Sequence, residues 1–329
     1  MRFSLSLFLP LLLLSPCSSF IPTFTSSRIT PPSSLSAVSK PGDSAFVLGI
    51  GFQQWMVSKE LIRSGLKPVL MADVAKADGM RQNWTPPPAE IVTNGQSEWE
   101  PSASLCTSLL ITPEASDIPG QTLTSLLSQM PLCTRVVLLN PAGVTKGKGV
   151  EEKDDNWILN RMMILGGKRV GAAGDDLEKA KSCEDAILKA KSDGVIDEAI
   201  IIYRGILKGG GGDDGLGDLY YKVCGSEPEE IVERTYDNAR KGLRIIHGDS
   251  IDTTLKVKEK GDTDDVTMKN LKEEIKNKTS RLSLARVIVQ TLFVEDVEDR
   301  MSVLCDFGEE IVSVEDCTTM IENLKQHAL

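Results

Sequence analysis

Two glycines flanking a single residue, Gly49-Ile50-Gly51, separate an apolar run at 45–48 from a helical pattern carried by Trp55, Met56, Lys59, Leu61 and Ile62. A carboxylate, Asp73, follows the next apolar run at 69–71. Glycine turn, helix start and acid at these spacings suit one chemistry. Residues without a Cβ let the backbone turn tightly and approach a pyrophosphate. The first turn of a helix offers free N–H groups and a positive dipole end, and a carboxylate accepts from ribose hydroxyls. Gly49, Ile50, Gly51, Phe52, Gln53, Gln54 and Asp73 would line such a dinucleotide site. The fingerprint asks for a third glycine three residues after the second, where helix and strand pack closely, and Gln54 stands there. An amide at 54 could hydrogen-bond a phosphate. An ordinary strand-helix-strand unit with a glycine turn and no ligand fits the same residues.

Positioning those groups requires a strand at 45–48, a helix closed by Gly65, and a strand after Pro68. Short strands are expected at 89–93 and 105–111, with a helix at 122–130. The run RVVLL at 135–139 is a strand buried on both faces, and it ends in Asn140-Pro141-Ala142. Acids first and bases last mark a helix at 175–191, followed by a buried strand, EAIIIY, at 198–203. Residues 144–155 read as a charged loop and 156–165 as a short helix. The glycine run 209–212 lacks the Lys-Ser or Lys-Thr of a phosphate loop and reads as a flexible connection. Residues 227–243 and 262–278 are helical in composition, 251–257 suits a strand, and Ser283 is placed to cap a helix through Leu292. A strand at 301–307 and a helix at 314–326 complete the pattern. Strands alternating with helices predict an α/β fold, a doubly wound parallel sheet with a small C-terminal α/β extension. Ligands of such sheets sit beyond the carboxyl ends of the strands, which adds Asn140, Pro141 and Ala142 to the site.

Lys and Arg number 37 against 47 Asp and Glu, a net charge of −10. An acidic chain of this kind lacks the clustered basic face that nucleic-acid binding needs. The first 40 residues carry no acid. Residues 1–19 read as a signal peptide, with Arg2, an apolar stretch and a small-residue cleavage region. Residues 20–43 are rich in Ser, Thr and Pro and resemble a transit peptide, with Phe20 at the junction. This two-part presequence predicts import into a plastid, with secretion as the alternative, and leaves 44–329 as one folded domain without a stable transmembrane anchor. The later cysteines, Cys106, Cys133, Cys183, Cys224, Cys305 and Cys317, are widely spaced with no CxxC, as reduced thiols would be. With only His247 and His327, no metal site is expected.

Several positions in order resemble the atypical short-chain dehydrogenase/reductases, the NmrA-like branch of the NAD(P)-binding Rossmann superfamily. Gly49 and Gly51-Phe52 fall at that family's cofactor loop, with Lys59-Glu60-Leu61 in the helix after it. Leu139-Asn140-Pro141-Ala142-Gly143-Val144 falls at its Ser-Ser-x-Gly-type turn. IIYRGIL at 201–207 is similar to its IIRPGxL, and TSRLSLARVIVQTL at 279–292 to its ISRxDVAxxIxxxL helix. The resemblance implies a nicotinamide dinucleotide as cofactor. Asp73 favours NAD over NADP, since a carboxylate would repel a 2′-phosphate, while Lys76 and Arg81 keep NADP open.

The family's Tyr-x-x-x-Lys pair, in which lysine lowers the tyrosine pKa for proton exchange with substrate, is absent. The cofactor loop is one residue short, and Thr93-Asn94-Gly95 stands where the family has an acid. Substitute catalytic groups beside the cofactor would be Lys146, Thr145 and Tyr203. Three readings follow. The first is a cofactor-binding plastid protein that assists or regulates another plastid protein without standard catalysis. The second is an oxidoreductase or isomerase using non-standard groups, and the third is a cofactor-free interaction scaffold.

Overall fold

Eight strands of the computed structural model line up in the order β3-β2-β1-β4-β5-β6-β10-β8. They are β1 (Ser44–Leu48), β2 (Lys67–Ala72), β3 (Glu90–Thr93), β4 (Ser108–Ile111), β5 (Arg135–Pro141), β6 (Glu198–Arg204), β8 (Gly242–His247) and β10 (Arg300–Asp306). The structure describes residues 38–49, 52–72, 77–79, 81, 89–93, 99–112, 118–145, 174–208, 242–251, 278–306 and 312–326. All belong to one unit, Ser36–Leu329. The expectations for 1–37, Ile50, Gly51, Asp73, Lys146 and the segments 156–165, 209–241 and 262–277 lie outside them.

Strands β3 to β6 and β10 run parallel, and only β8 is antiparallel, against β10. The order 3-2-1-4-5-6 is that of the doubly wound Rossmann sheet. The C-terminal segment extends this sheet, because β10 adds beside β6 and β8 closes the edge. A separate two-stranded parallel sheet joins β7 (Ile206–Lys208) to β9 (Lys278–Ser280).

Alternate residues of each strand enter opposite layers, which explains why the runs read as continuously apolar. In β5, Val137 and Leu139 join a core with α1 (Phe52–Arg63), α5 (Arg281–Gln290) and α6 (Val314–Gln326). Val136 and Leu138 join the other, with α2 (Trp99–Ser104), α3 (Gly120–Ser128) and α4 (Gly174–Ser192). Helix α1 ends as its glycine predicts: Gly65 has φ +79, Leu66 N–H donates to Leu61 O at 2.9 Å, and Gly65 N–H to Ile62 O at 3.0 Å. Arg135 opens β5 fully buried. It pairs with Glu198, its register partner, and donates to the Thr291 carbonyl and, at 3.0 Å, to Val294 O beyond α5.

Four expectations are corrected. Gly242 and Leu243 begin β8 rather than ending a helix, because their segment pairs with β10 from Met301 to Asp306. Ile251 lies outside any strand, and Lys278 opens β9 rather than closing a helix. Helix α5 is capped by Ser280, whose extended backbone lets its hydroxyl accept from Ser283 N–H at 3.4 Å. Helix α2 was not anticipated; its Pro101 sits in the first turn, where a missing N–H costs nothing. No helix among the described residues is long and apolar enough to cross a membrane.

Candidate functional site

Strand order reverses between β1 and β4, and ligands of this architecture usually sit beyond the carboxyl ends of the strands at such a point. Gly49 leaves β1 here, buried, with φ +133, a value that side chains rarely tolerate. On the β4 side, Thr112 fixes the strand ends by donating its N–H at 2.9 Å and its hydroxyl at 3.1 Å to Leu48 O. Helix α1 begins at Phe52, three residues after Gly49.

Gln54 does not do what a phosphate ligand would. Its side chain is fully buried, and Nε2 donates to Val47 O of β1 at 3.0 Å and to Met71 O of β2 at 2.9 Å. The amide thus bridges the ends of two strands and binds helix to sheet by hydrogen bonds, where the fingerprint glycine would do so by close approach. Ser58 donates to Gln54 O at 2.7 Å and holds that turn of helix. Gln53, also buried, donates to Arg281 O at 3.2 Å and ties α1 to the start of α5. Both glutamines therefore serve the packing of α1 through their side chains.

At the end of β5 the expected residues separate into two groups. Asn140 is fully buried, and its amide donates to Glu184 Oε2 at 3.0 Å and Ala180 O at 3.4 Å. Tyr203, beside it on β6, is likewise buried, and its hydroxyl donates to Glu184 Oε1 at 2.9 Å. Arg300 completes the set, reaching the same oxygen at 2.8 and 3.1 Å. Burial first, and the Glu184 carboxylate second, push the Tyr203 phenol up. The Tyr203 hydroxyl and the Asn140 amide, expected beside a ligand, thus share one buried network around Glu184.

Pro141 and Ala142 are buried and lead into a turn, with Ala142 N–H on Arg204 O at 2.9 Å. Asp249, beyond β8, seizes that turn. Its carboxylate accepts from Gly143 N–H at 2.9 and 3.0 Å, from Thr145 N–H at 3.1 Å and from the Thr145 hydroxyl at 2.9 Å. Gly143 has φ +91, which lets its own amide and that of Thr145 converge on one acceptor. Thr145 is exposed at this edge. Arg81 is held at the far edge by Asp78 at 3.5 Å and Ile91 O at 2.8 Å.

Glu184, Arg300, Thr112 and Asp249 were missed. Glu184 had a signal, since it stands on the stripe of Ala180, Cys183 and Ile187, where a carboxylate needs internal donors. Asp249 had none, because its partners lie more than a hundred residues away.

No family model matches the chain, and no curated protein matches it. Among solved structures it is similar to a wide-type short-chain dehydrogenase/reductase from Veillonella parvula in complex with NADP, at 9% identity and TM-score 0.48, over 79% of this chain and 94% of that one. It is also similar to Gre2 from Candida albicans in complex with NADPH, at 10% identity and TM-score 0.44, over 78% and 76%. A third likeness is the UDP-Glc/GlcNAc 4-epimerase from Campylobacter jejuni, at 10% identity and TM-score 0.41, over 87% and 100%. The Rossmann-like architecture rests on the strand order and pairing described above.

Proposed function

We propose that the chain binds a nicotinamide dinucleotide at the carboxyl ends of β1, β4 and β5 and acts as a cofactor-dependent assembly or regulatory factor. The observation that carries this reading is the burial of Gln54. The residue that breaks the fingerprint is turned into the β1–β2 sheet end, so its side chain does not compete for the turn between Gly49 and α1. Gly49, with no Cβ, and the start of a twelve-residue helix fit a pyrophosphate. Bound there, the dinucleotide would supply a hydride donor or acceptor. The described residues would bind and orient it. The chain has no Tyr-x-x-x-Lys pair and the Tyr203 hydroxyl is engaged by Glu184, which together favour a role without standard catalysis.

A second reading, an active oxidoreductase or isomerase, draws on Thr145. Of the described candidates it is the exposed one, and its hydroxyl donates to a carboxylate that would accept a proton. Both readings place the protein in a plastid, on the composition of residues 1–43, and a fluorescent protein fused behind that segment should enter plastids.

Titration of the purified protein with NADH and NADPH tests the cofactor. Binding tighter than about 100 μM, about −5.5 kcal/mol, lost in Gly51→Asp without loss of folding, is expected, with NADH the tighter on account of Asp73. Binding without turnover of carbonyl substrates separates the first reading from the second, and no binding by a folded protein leaves the cofactor-free scaffold.

A further inference from the structure

Residues 39–43, ahead of β1, are built into the fold, although they fall in the stretch whose composition reads as presequence. Ser39 is buried. Its N–H donates at 2.8 Å to Leu292 O, just beyond α5, and its hydroxyl lies 3.2 Å from that of Ser108, the first residue of β4. The chain then reverses. Lys40-Pro41-Gly42-Asp43 has the residues of a type II turn, with Gly42 at φ +97 and Asp43 N–H on Lys40 O at 3.0 Å. Lys40 N–H donates to Asp43 Oδ2 at 2.7 Å and closes it from the other side. Gly42 N–H reaches Gly65 O at 2.8 Å, and Lys67 N–H returns to Asp43 O at 2.9 Å. Residues 39–43 thereby tie the end of α5 and the start of β4 to the turn between α1 and β2.

Composition alone does not find this boundary. No acid precedes position 43, so the leader-like stretch runs up to it, yet Asp43, the first acid of the chain, is the residue that closes the turn. A cut within 39–43 would strip the buried Ser108 hydroxyl and the Leu292 carbonyl of this partner. Upstream, Ser33, Ser34, Ser36 and Ala37 supply the small side chains that suit a leader cleavage site, and the folded unit begins at Ser36.

We propose that an endopeptidase hydrolyses one peptide bond between Ser33 and Val38, and that residues 39–43 stay on the mature chain as a latch. Water supplies the hydroxyl of the released carboxyl terminus and a proton of the new amino terminus. This site presupposes the two-part presequence read at 1–43.

Expression of the full-length chain with a carboxyl-terminal tag in plastid-bearing cells, followed by mass spectrometry of its first peptide, locates the cut. A first residue within 34–38 is expected, and any other would overturn the proposal. Cell fractionation keeps cut and destination apart. The expected first residue on a protein outside plastids would sink only the targeting, and a plastid protein that starts at Ser39 or later would sink only the latch. In the processed protein, Ser39→Ala and Gly42→Val should each lower the melting temperature by about 2 °C with the first residue unchanged. Indifference to both substitutions would make 39–43 a passing tail and overturn the latch.

Discussion

Gln54 illustrates how one side chain can replace a backbone device. A glycine at that position would let α1 approach β1; the glutamine keeps the helix in place through two hydrogen bonds to carbonyls at the strand ends. Gln54→Leu preserves bulk but strips both acceptors of their donor. It should cost about 2 kcal/mol in a urea unfolding experiment with unchanged slope. Tyr203→Phe removes one donor from Glu184, which still accepts from Asn140 and Arg300. The expected loss is about 1 kcal/mol of stability with no change in NADH affinity. A large effect on binding at intact stability would return Tyr203 to the site.

Elements here are set by their ends as much as by their faces. Helix α5 starts one residue after β9, and Ser280 serves both as last strand residue and as cap. Ser280→Ala should therefore destabilise by about 1 kcal/mol. Ser283→Ala, which removes a buried hydroxyl that has no hydrogen-bond partner, should be close to neutral or slightly stabilising. Chemical denaturation of the two variants separates the caps, and a larger loss in Ser283→Ala would contradict the assignment.

For the whole molecule, burial of thiols predicts a response to alkali. Burial pushes Cys106, Cys133 and Cys317 up from 9.0 to about 12, with Glu90 adding to the effect at Cys106. These groups ionise sooner in the unfolded chain, which then holds fewer protons than the native state. Stability is retained below the unfolded value and declines as pH rises from 9.0 towards about 12. Denaturant midpoints measured across that window should fall, and Cys133→Ala should flatten the slope at some cost in packing. A midpoint independent of pH there would mean that the thiols gain access to water in the native state.

Most of the sheet was legible because its strands are buried on both faces: RVVLL and EAIIIY need no partner to be named as interior strands. Helix α6 at Val314–Gln326 and the Gly65 cap were equally plain, since amphipathic period and positive φ are local demands. Pairings across long stretches of chain were not legible. The strand identity of β8 comes from β10, the Ser280 cap from the end of β9, and the Asp249 clasp from a turn on a different strand. Sequence alone put Gly49 at the exit of β1 and Asn140-Pro141 at the end of β5. Tertiary structure decided that Gln54, Asn140 and Tyr203 point inward, because a buried polar group takes whichever partner the fold brings within hydrogen-bonding distance.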